Sequence, residues 1–281
     1  MTDPLVSVVI AAYNAAPFLR ETLESVAAQT YGRVEILVVD DGSTDDTAEI
    51  AKQVAPNARI FRRERGGLAA ARNFGLREAS GTFIALLDAD DLWMPTKLET
   101  QVGVAQRHPS AGLIVCDAEE FIGDRTINAT MFRKPFAKLL RTSTDGEVAG
   151  MMHRRFLRFC QITCPAQTLF ARRVVEEVGE FIDSPAQDFD YYLRASRLFP
   201  LVIHREVLAR WRYRPDSMSG SRLTRPLRFT RTSAPVLRAH AERCKGEERR
   251  IIERRAAAID RICGLPWPAN VLAAQIDQMI G

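Results

Sequence analysis

The sequence predicts an α/β protein: a mixed, mostly parallel sheet flanked by helices, with a helical extension at its C-terminal end. Three observations lead there. Short apolar runs alternate with segments of helical spacing along the first 120 or so residues, the pattern of a parallel sheet with crossover helices. The apolar runs are nearly continuous, as strands buried on both faces are. Each run ends in polar groups, and in open α/β sheets the carboxyl edge of the strands is where ligands bind.

Leu5–Ala11 is apolar and β-branched and reads as the first strand, ending in Ala12-Tyr13-Asn14. Pro17–Gln29 follows with Phe18, Leu19, Leu23 and Val26 on one helical side. Glu35–Val39 is the second strand; it ends in Asp40-Asp41-Gly42-Ser43, where Thr44 or Asp45 can cap the next helix. Ala58–Phe61 is the third, followed by Arg62-Arg63-Glu64-Arg65 and, after Gly66-Gly67, a helix from Leu68 to about Glu78. Thr82–Leu87 is the fourth and runs into Asp88-Ala89-Asp90-Asp91. Asn14, Asp41, the arginines after the third strand and Asp88–Asp91 are therefore expected along one crevice.

The acidic stretch is the focus of the chain. Carboxylates crowded into four positions repel one another unless a cation sits among them, and hard oxygen ligands suit Mg²⁺ or Mn²⁺. The plainer alternative is a polar strand end that caps the following helix, with Pro95 near its first turn.

Beyond it, a helix over Pro95–Arg107 and a strand over Gly112–Cys116 are expected. Residues 121–160 are basic and rich in Phe and Met, with Arg125, Arg133, Lys134, Lys138, Arg141, Arg154, Arg155 and Arg158 beside Met131, Phe132, Phe136, Phe156 and Phe159. They read as an irregular insertion with a solvated face, or as a wall of an acceptor site or a membrane-facing patch. Ala166–Phe170 is a strand, Val174–Val178 a helix stopped by Gly179, and Gln187–Arg194 opens another helix with Asp188 at its N-terminus. There Asp188 is either a helix-capping carboxylate or a functional one. Leu201–His204 and Val207–Ala209 are short strands, and Trp211–Ser219 is a polar loop. From Arg222 to Cys263 there are 12 Lys and Arg against 5 Asp and Glu, with helical spacing through Arg249, Ile252, Ala256 and Ile259. That region reads as a charged surface helix packed on the domain, or as a membrane or partner surface. A last helix covers Pro268–Ile280.

Composition narrows the classes. The chain has 281 residues and a net charge of +4, too mild to imply nucleic acid by itself. Five cysteines, an odd number without a C-x-x-C pair, fit a reducing cytoplasm, with the inner membrane face as a second location for the basic, Phe-rich segment. Cys160 and Cys164 lie four apart, but no nearby histidine pair completes a zinc set. The N-terminus shows no signal peptide and no run reaches the length of a spanning helix. There is no G-x-G-x-x-G and no P-loop.

Five motifs in order resemble those of inverting glycosyltransferase family 2, which has the GT-A fold. They are Val6–Ile10 with Tyr13-Asn14; Val38-Val39-Asp40-Asp41-Gly42-Ser43-Thr44-Asp45; Gly67 with Ala71-Arg72-Asn73; Asp88-Ala89-Asp90-Asp91, like the D-x-D signature; and Gly179-Glu180-Phe181 with Asp188-Phe189-Asp190 and Leu193-Arg194. The match spans roughly residues 5–220. The resemblance implies a Rossmann-like transferase unit over 1–220, its nucleotide-sugar half at 1–117 and acceptor half at 118–220, followed by a basic helical extension over 221–281.

It also implies roles. Ala12, Tyr13 and Asn14 would contact the donor, a UDP-sugar or related nucleotide-diphosphate sugar, with Tyr13 and Asp41 holding the base. Arg72 would lie near the nucleotide, Asp88 would bind the ribose, and Asp90 would bind the Mn²⁺ or Mg²⁺ that bridges the diphosphate. Asp188 would be the catalytic base toward a hydroxyl of a glycan or lipid-linked saccharide. Two positions depart from the pattern: Gln187 stands where the family has Glu, and Arg214 where it often has His. An arginine is no neutral metal ligand, but it can pair with the diphosphate directly.

Three other readings compete. A non-catalytic nucleotide-sugar binder or assembly partner draws on Gln187 and Arg214, against the retained Asp188. A nucleotidyltransferase would need a basic loop early in the chain, where residues 11–16 carry no charge. A nucleic-acid binder would rest on the basic C-terminal region alone, with no stacking surface.

Overall fold

The computed structural model describes residues 3–132, 145–160, 162–214, 225–266 and 269–280, together with positions 137, 140, 143 and 217. Arg133, Lys134, Phe136, Lys138, Arg141, Asp216, Met218, Ser219 and Arg222 lie outside the described residues.

Its centre is a sheet of ten strands: β1 (Val6–Ala12), β2 (Val34–Asp40), β3 (Arg59–Arg62), β4 (Phe83–Asp88), β5 (Leu92–Trp93), β6 (Leu113–Ile122), β7 (Arg125–Asn128), β8 (Glu147–Gly150), β9 (Thr168–Ala171) and β10 (Leu201–Arg212). The spatial order is β3-β2-β1-β4-β9-β6-β10-β5, with β7 beside β6 and β8 beside β10. Strands β3, β2, β1 and β4 run parallel, as do β6 and β10. Between the two blocks β9 runs antiparallel to both neighbours. The sheet is thus mixed and mostly parallel at its centre, as expected.

The helices are α1 (Ala16–Ala27), α2 (Thr47–Val54), α3 (Leu68–Glu78), α4 (Lys97–Arg107), α5 (His153–Arg158), α6 (Arg172–Val178), α7 (Gln187–Leu198), α8 (Arg225–Arg243), α9 (Gly246–Gly264) and α10 (Ala269–Ile280). Period-two alternation sorts the strand residues onto two faces. Val8, Ile10, Ala85 and Leu87 pack with Leu19, Leu23, Leu98 and Val102 of α1 and α4. Val9, Ile84 and Leu86 pack with Leu76 of α3, Tyr191 and Tyr192 of α7, and Ile252 of α9. Each fully buried side chain of this size contributes roughly 1.5–3 kcal/mol. Gly75 lets α3 approach β1 closely, since a Cβ there would run into Val9 Cγ1.

Three expectations change. The two short strands at Leu201–Ala209 are one bulged strand, and Trp211 and Arg212 belong to it rather than to a loop. Its pairing is carried on past the irregularities between Ile203 and Ala209 by the long partner β6, itself extended to Ile122. The segment 121–160 is not an irregular insertion where it is described: it carries β7, β8 and α5. Its Phe132, Phe156 and Phe159 are buried in or against the core, where the energy of so many rings is recovered by packing.

Candidate active site

Register brings the site together. Ala12 pairs with Asp40, and Ala11 with Asp88, so the carboxyl ends of β1, β2 and β4 finish level. Beyond that edge lies a cavity of about 1000 Å³. Ala12, Tyr13, Asp41, Arg72, Asp88, Asp90, Asp188 and Arg214 line it, as does Arg65 after β3. Asn14 does not. With φ 47° it turns its side chain to accept the N–H of Thr44, while its own N–H donates to Ser43 Oγ at 2.9 Å. It joins two strand-end loops.

Asp41 anchors the start of α3. Its carboxylate accepts the N–H groups of Gly66 at 3.0 Å and Gly67 at 2.7 Å, and Gly67 supplies the φ of 89° that starts the helix. Arg63 Nε adds a contact at 3.5 Å. The Arg65 guanidinium lies 4.2 Å from the Tyr13 ring centre, and Tyr13 stays 39% exposed at the cavity mouth. Such an amphipathic ring with an open face can receive a planar base.

Arg72 projects from α3 and is 2% exposed. One of its terminal nitrogens donates to Asp88 at 2.6 Å and the other to Asp188 at 2.5 Å. It is therefore the link between the strand-end aspartate and the aspartate of α7. Burial raises the Asp188 carboxyl above its usual range, with Arg72 pulling the other way. The adjoining Asn73 amide exchanges two hydrogen bonds with the Phe181 backbone, at 2.9 and 2.8 Å, and so holds the loop that leads to α7. Phe181 in turn stacks on Tyr191 at 4.0 Å.

The acidic segment is laced to the end of β10. Leu92 and Trp93 pair with Arg210 and Ala209, the Arg212 N–H donates to Asp91 Oδ1 at 2.9 Å, and Arg212 Nε donates to the Asp90 carbonyl at 2.7 Å. Two residues further, Arg214 reaches 3.4 Å from Asp90 Oδ2. Burial and then Asp88 push the Asp90 carboxyl up to about 6, against the pull of Arg214 and Arg212. Burial, then Asp90 and Asp88, push Asp91 well above the usual range, and its buried Oδ2 has no partner among the described residues. The site thus holds more crowded carboxylate than its arginines compensate. That is the condition under which a bound cation is favoured, so the residues fit a divalent ion.

Residues 7–176 match the family model for glycosyl transferase family 2. The chain belongs to glycosyltransferase family 2. It spans 31–64% of the length of five glycosyltransferases from Rickettsia species that match 75–77% of its own. It is also similar to the Escherichia coli UDP-Glc:alpha-D-GlcNAc-diphosphoundecaprenol beta-1,3-glucosyltransferase WfaP, with 43% identity over 100 residues, 35% of this chain and 40% of the other. Among solved structures, S. aureus TarS 1-349 in complex with UDP-GlcNAc matches with TM-score 0.65 and 19% identity over 98% of this chain and 88% of the other. The Pyrobaculum calidifontis mannosyltransferase PcManGT, in complex with GDP-Man and Mn²⁺, matches with TM-score 0.63 and 19% identity over 100% and 88%. These neighbours share the GT-A fold expected from the motifs.

Sequence reasoning missed Ile162 and the residues that α8 supplies to the cavity, whereas Phe159 and Cys160 fall in the 121–160 segment for which a wall of a site is one of the readings. Phe159, Cys160 and Ile162 form one wall, and Arg228, Phe229 and Thr232 of α8 form another. Phe229 sits edge-on to Phe189, the neighbour of Asp188, at 6.0 Å. The C-terminal helices are thus packed on the rest of the molecule and take part in the cavity. Buried His240 meets Asp190 at 3.0 Å, and Arg255 donates to the carbonyls of Phe156 and Leu157 at 3.2 and 2.8 Å. The spacing of Arg228, Phe229 and Thr232 marks a single helical face, the one available signal. Among the described residues no helix is long and apolar enough to cross a membrane.

Proposed function

We propose that this family 2 protein transfers a sugar, with inversion, from a nucleotide-diphosphate donor, a UDP-sugar, to a hydroxyl of a glycan or lipid-linked saccharide. The observation that carries the reading is the Arg72 bridge. It ties Asp188 to the Asp88–Asp91 segment in one cavity, a base on one side and a cation-holding edge on the other. The UDP-glucose and diphosphoundecaprenol in the name of the E. coli relative, and the UDP-GlcNAc bound by TarS, support the donor and acceptor classes.

In this mechanism Tyr13 and Asp41 receive the base and Asp88 the ribose. Asp90 would hold Mn²⁺ or Mg²⁺, which when bound supplies positive charge to the departing diphosphate. Arg214, beside Asp90, pairs with the same diphosphate. Asp188 takes the proton of the acceptor hydroxyl as its oxygen attacks the anomeric carbon. Attack from the face opposite the leaving group inverts that carbon. Burial raises the Asp188 carboxyl above its usual range, which makes it the stronger base, while Arg72 beside it favours the ionised form.

The first test is calorimetric titration of UDP, GDP and dTDP, with and without Mn²⁺, on wild type, Asp90→Ala and Asp188→Asn. The expected outcome is metal-dependent binding of UDP, lost in Asp90→Ala and kept in Asp188→Asn, whose turnover falls on the order of 10²–10⁴-fold. A folded protein that binds none of the three nucleotides overturns the reading in favour of a scaffold role.

A further inference from the structure

A second polar cluster lies apart from the cavity, where the helices of the C-terminal extension meet the rest of the molecule. His153 begins α5, Cys244 follows α8, and Glu248 stands in the first turn of α9. One ligand atom from each lies within 4.8 Å of the others. His153 and Cys244 are 5% and 2% exposed.

The histidine is built as a ligand is. Ser196 of α7 donates its only hydroxyl proton to the Leu193 carbonyl at 3.0 Å. The 3.2 Å contact between Ser196 Oγ and His153 Nδ1 is satisfied together with that bond when Nδ1 carries the ring proton, the tautomer in which Nε2 keeps its lone pair. That atom is buried and has no partner among the described residues. A buried acceptor without a donor is costly. Metal-binding histidines show this same arrangement, one ring nitrogen tied to an oxygen and the other free for the ion. Cys244 Sγ also receives Arg197 Nη1 at 3.5 Å and is hydrogen-bonded with the Glu248 carboxylate.

We infer that His153, Cys244 and Glu248 form a zinc site that pins the α8–α9 turn to α5 and α7. The donor set selects the ion. A thiolate, an imidazole nitrogen and one carboxylate suit Zn²⁺ in tetrahedral geometry with water in the fourth place, whereas Mg²⁺ and Mn²⁺ prefer oxygen. Binding displaces the thiol proton, and the charges of thiolate and carboxylate balance the ion. The site is chemically distinct from the all-oxygen Asp88–Asp91 segment. Its consequence is mechanical: the other end of α8 supplies Arg228, Phe229 and Thr232 to the cavity, so the ion would hold the acceptor wall in place.

The test loads the full chain with excess ZnSO₄, removes free ion by gel filtration, and measures bound zinc by mass spectrometry in wild type, Cys244→Ser, His153→Gln and Asp90→Ala. About one zinc per chain is expected in wild type and in Asp90→Ala, and about tenfold less in the other two. Cobalt loading of wild type is expected to give the near-ultraviolet thiolate-to-cobalt band, absent in Cys244→Ser. Stripping with a chelator is expected to lower the melting midpoint of wild type by several degrees and to leave Cys244→Ser unmoved. His153→Gln and Cys244→Ser are checked by circular dichroism, and the cobalt spectrum of wild type stands whether or not they fold. Wild type that retains no zinc and gives no cobalt band overturns the inference, as does equal zinc in folded Cys244→Ser.

Discussion

Arg72 carries more of the site than any other single residue. A buried guanidinium between two carboxylates is stable only because both of its ends are paired, and removing it would leave Asp88 and Asp188 facing one another without a cation. Arg72→Met should therefore raise the pKa of Asp188 and weaken the fold together, while Arg72→Lys keeps the charge but loses one of the two bonds. The acid limb of kcat/KM reports groups of the free enzyme. In the proposed mechanism Asp90, pushed up to about 6, and Asp188, also raised, both act as carboxylates, so activity should be lost as pH falls through these raised values. Arg214 pulls the Asp90 value down. Arg214→Gln should accordingly move the acid limb to higher pH, measured over pH 4.5–8 (about the span of the limb) at a fixed, sub-saturating Mn²⁺ concentration where protons and metal compete for Asp90. An unmoved limb would show that Asp90 does not govern it.

At the scale of elements, the parallel block could be read in advance because each of its strands is a short, closed statement: apolar run, polar end, helix. The level ends of β1, β2 and β4 follow from that pattern. The half of the sheet that holds β6 and β10 could not be read so easily. β10 and β6 support one another over long, bulged stretches that carry Glu119, Glu120 and Arg210 within them, so no period survives in the sequence. The Phe residues of 121–160 read as a surface because basic residues interleave them, yet among the described residues Phe121, Phe132, Phe156 and Phe159 are buried and Arg125, Arg154, Arg155 and Arg158 are exposed. Helix α8 was read as charged surface for the same reason. Its Phe229, set against Phe189, should matter for the acceptor alone. Phe229→Ala is expected to raise the acceptor KM roughly tenfold, about the energy of a lost aromatic contact, with UDP binding by calorimetry unchanged. Equal losses for donor and acceptor would place α8 outside the acceptor wall.

At the scale of the whole molecule, the half of the sheet that holds β10 carries a buried acid-sensitive point that no motif marks. His204 lies in β10 opposite Glu147 of β8, is 2% exposed, and neither of its ring nitrogens has a partner among the described residues. Burial lowers its pKa from 6.5 to about 4; Glu147 acts against the shift, and Lys97 and Arg107 add to it. The folded protein thus refuses a proton that the unfolded chain accepts. For a depressed pKa the stability is fully present above about 6.5 and is lost as pH falls toward 4. Between pH 7 and 5 this one ring removes roughly 2 kcal/mol. Glu147 is itself lowered, by its bonds to Arg107 and His108 that outweigh burial, so its own contribution is lost only below about 4.5 and the two windows separate. His204→Leu keeps the volume and deletes the orphaned nitrogens. Its urea midpoint should equal or exceed that of wild type at pH 5, and the fall in stability between pH 7 and 5 should be about 2 kcal/mol shallower than in wild type. Parallel pH profiles for the two proteins would mean that the ring is not the group that titrates, and would move the acid sensitivity of the fold to the carboxylates of the active-site edge.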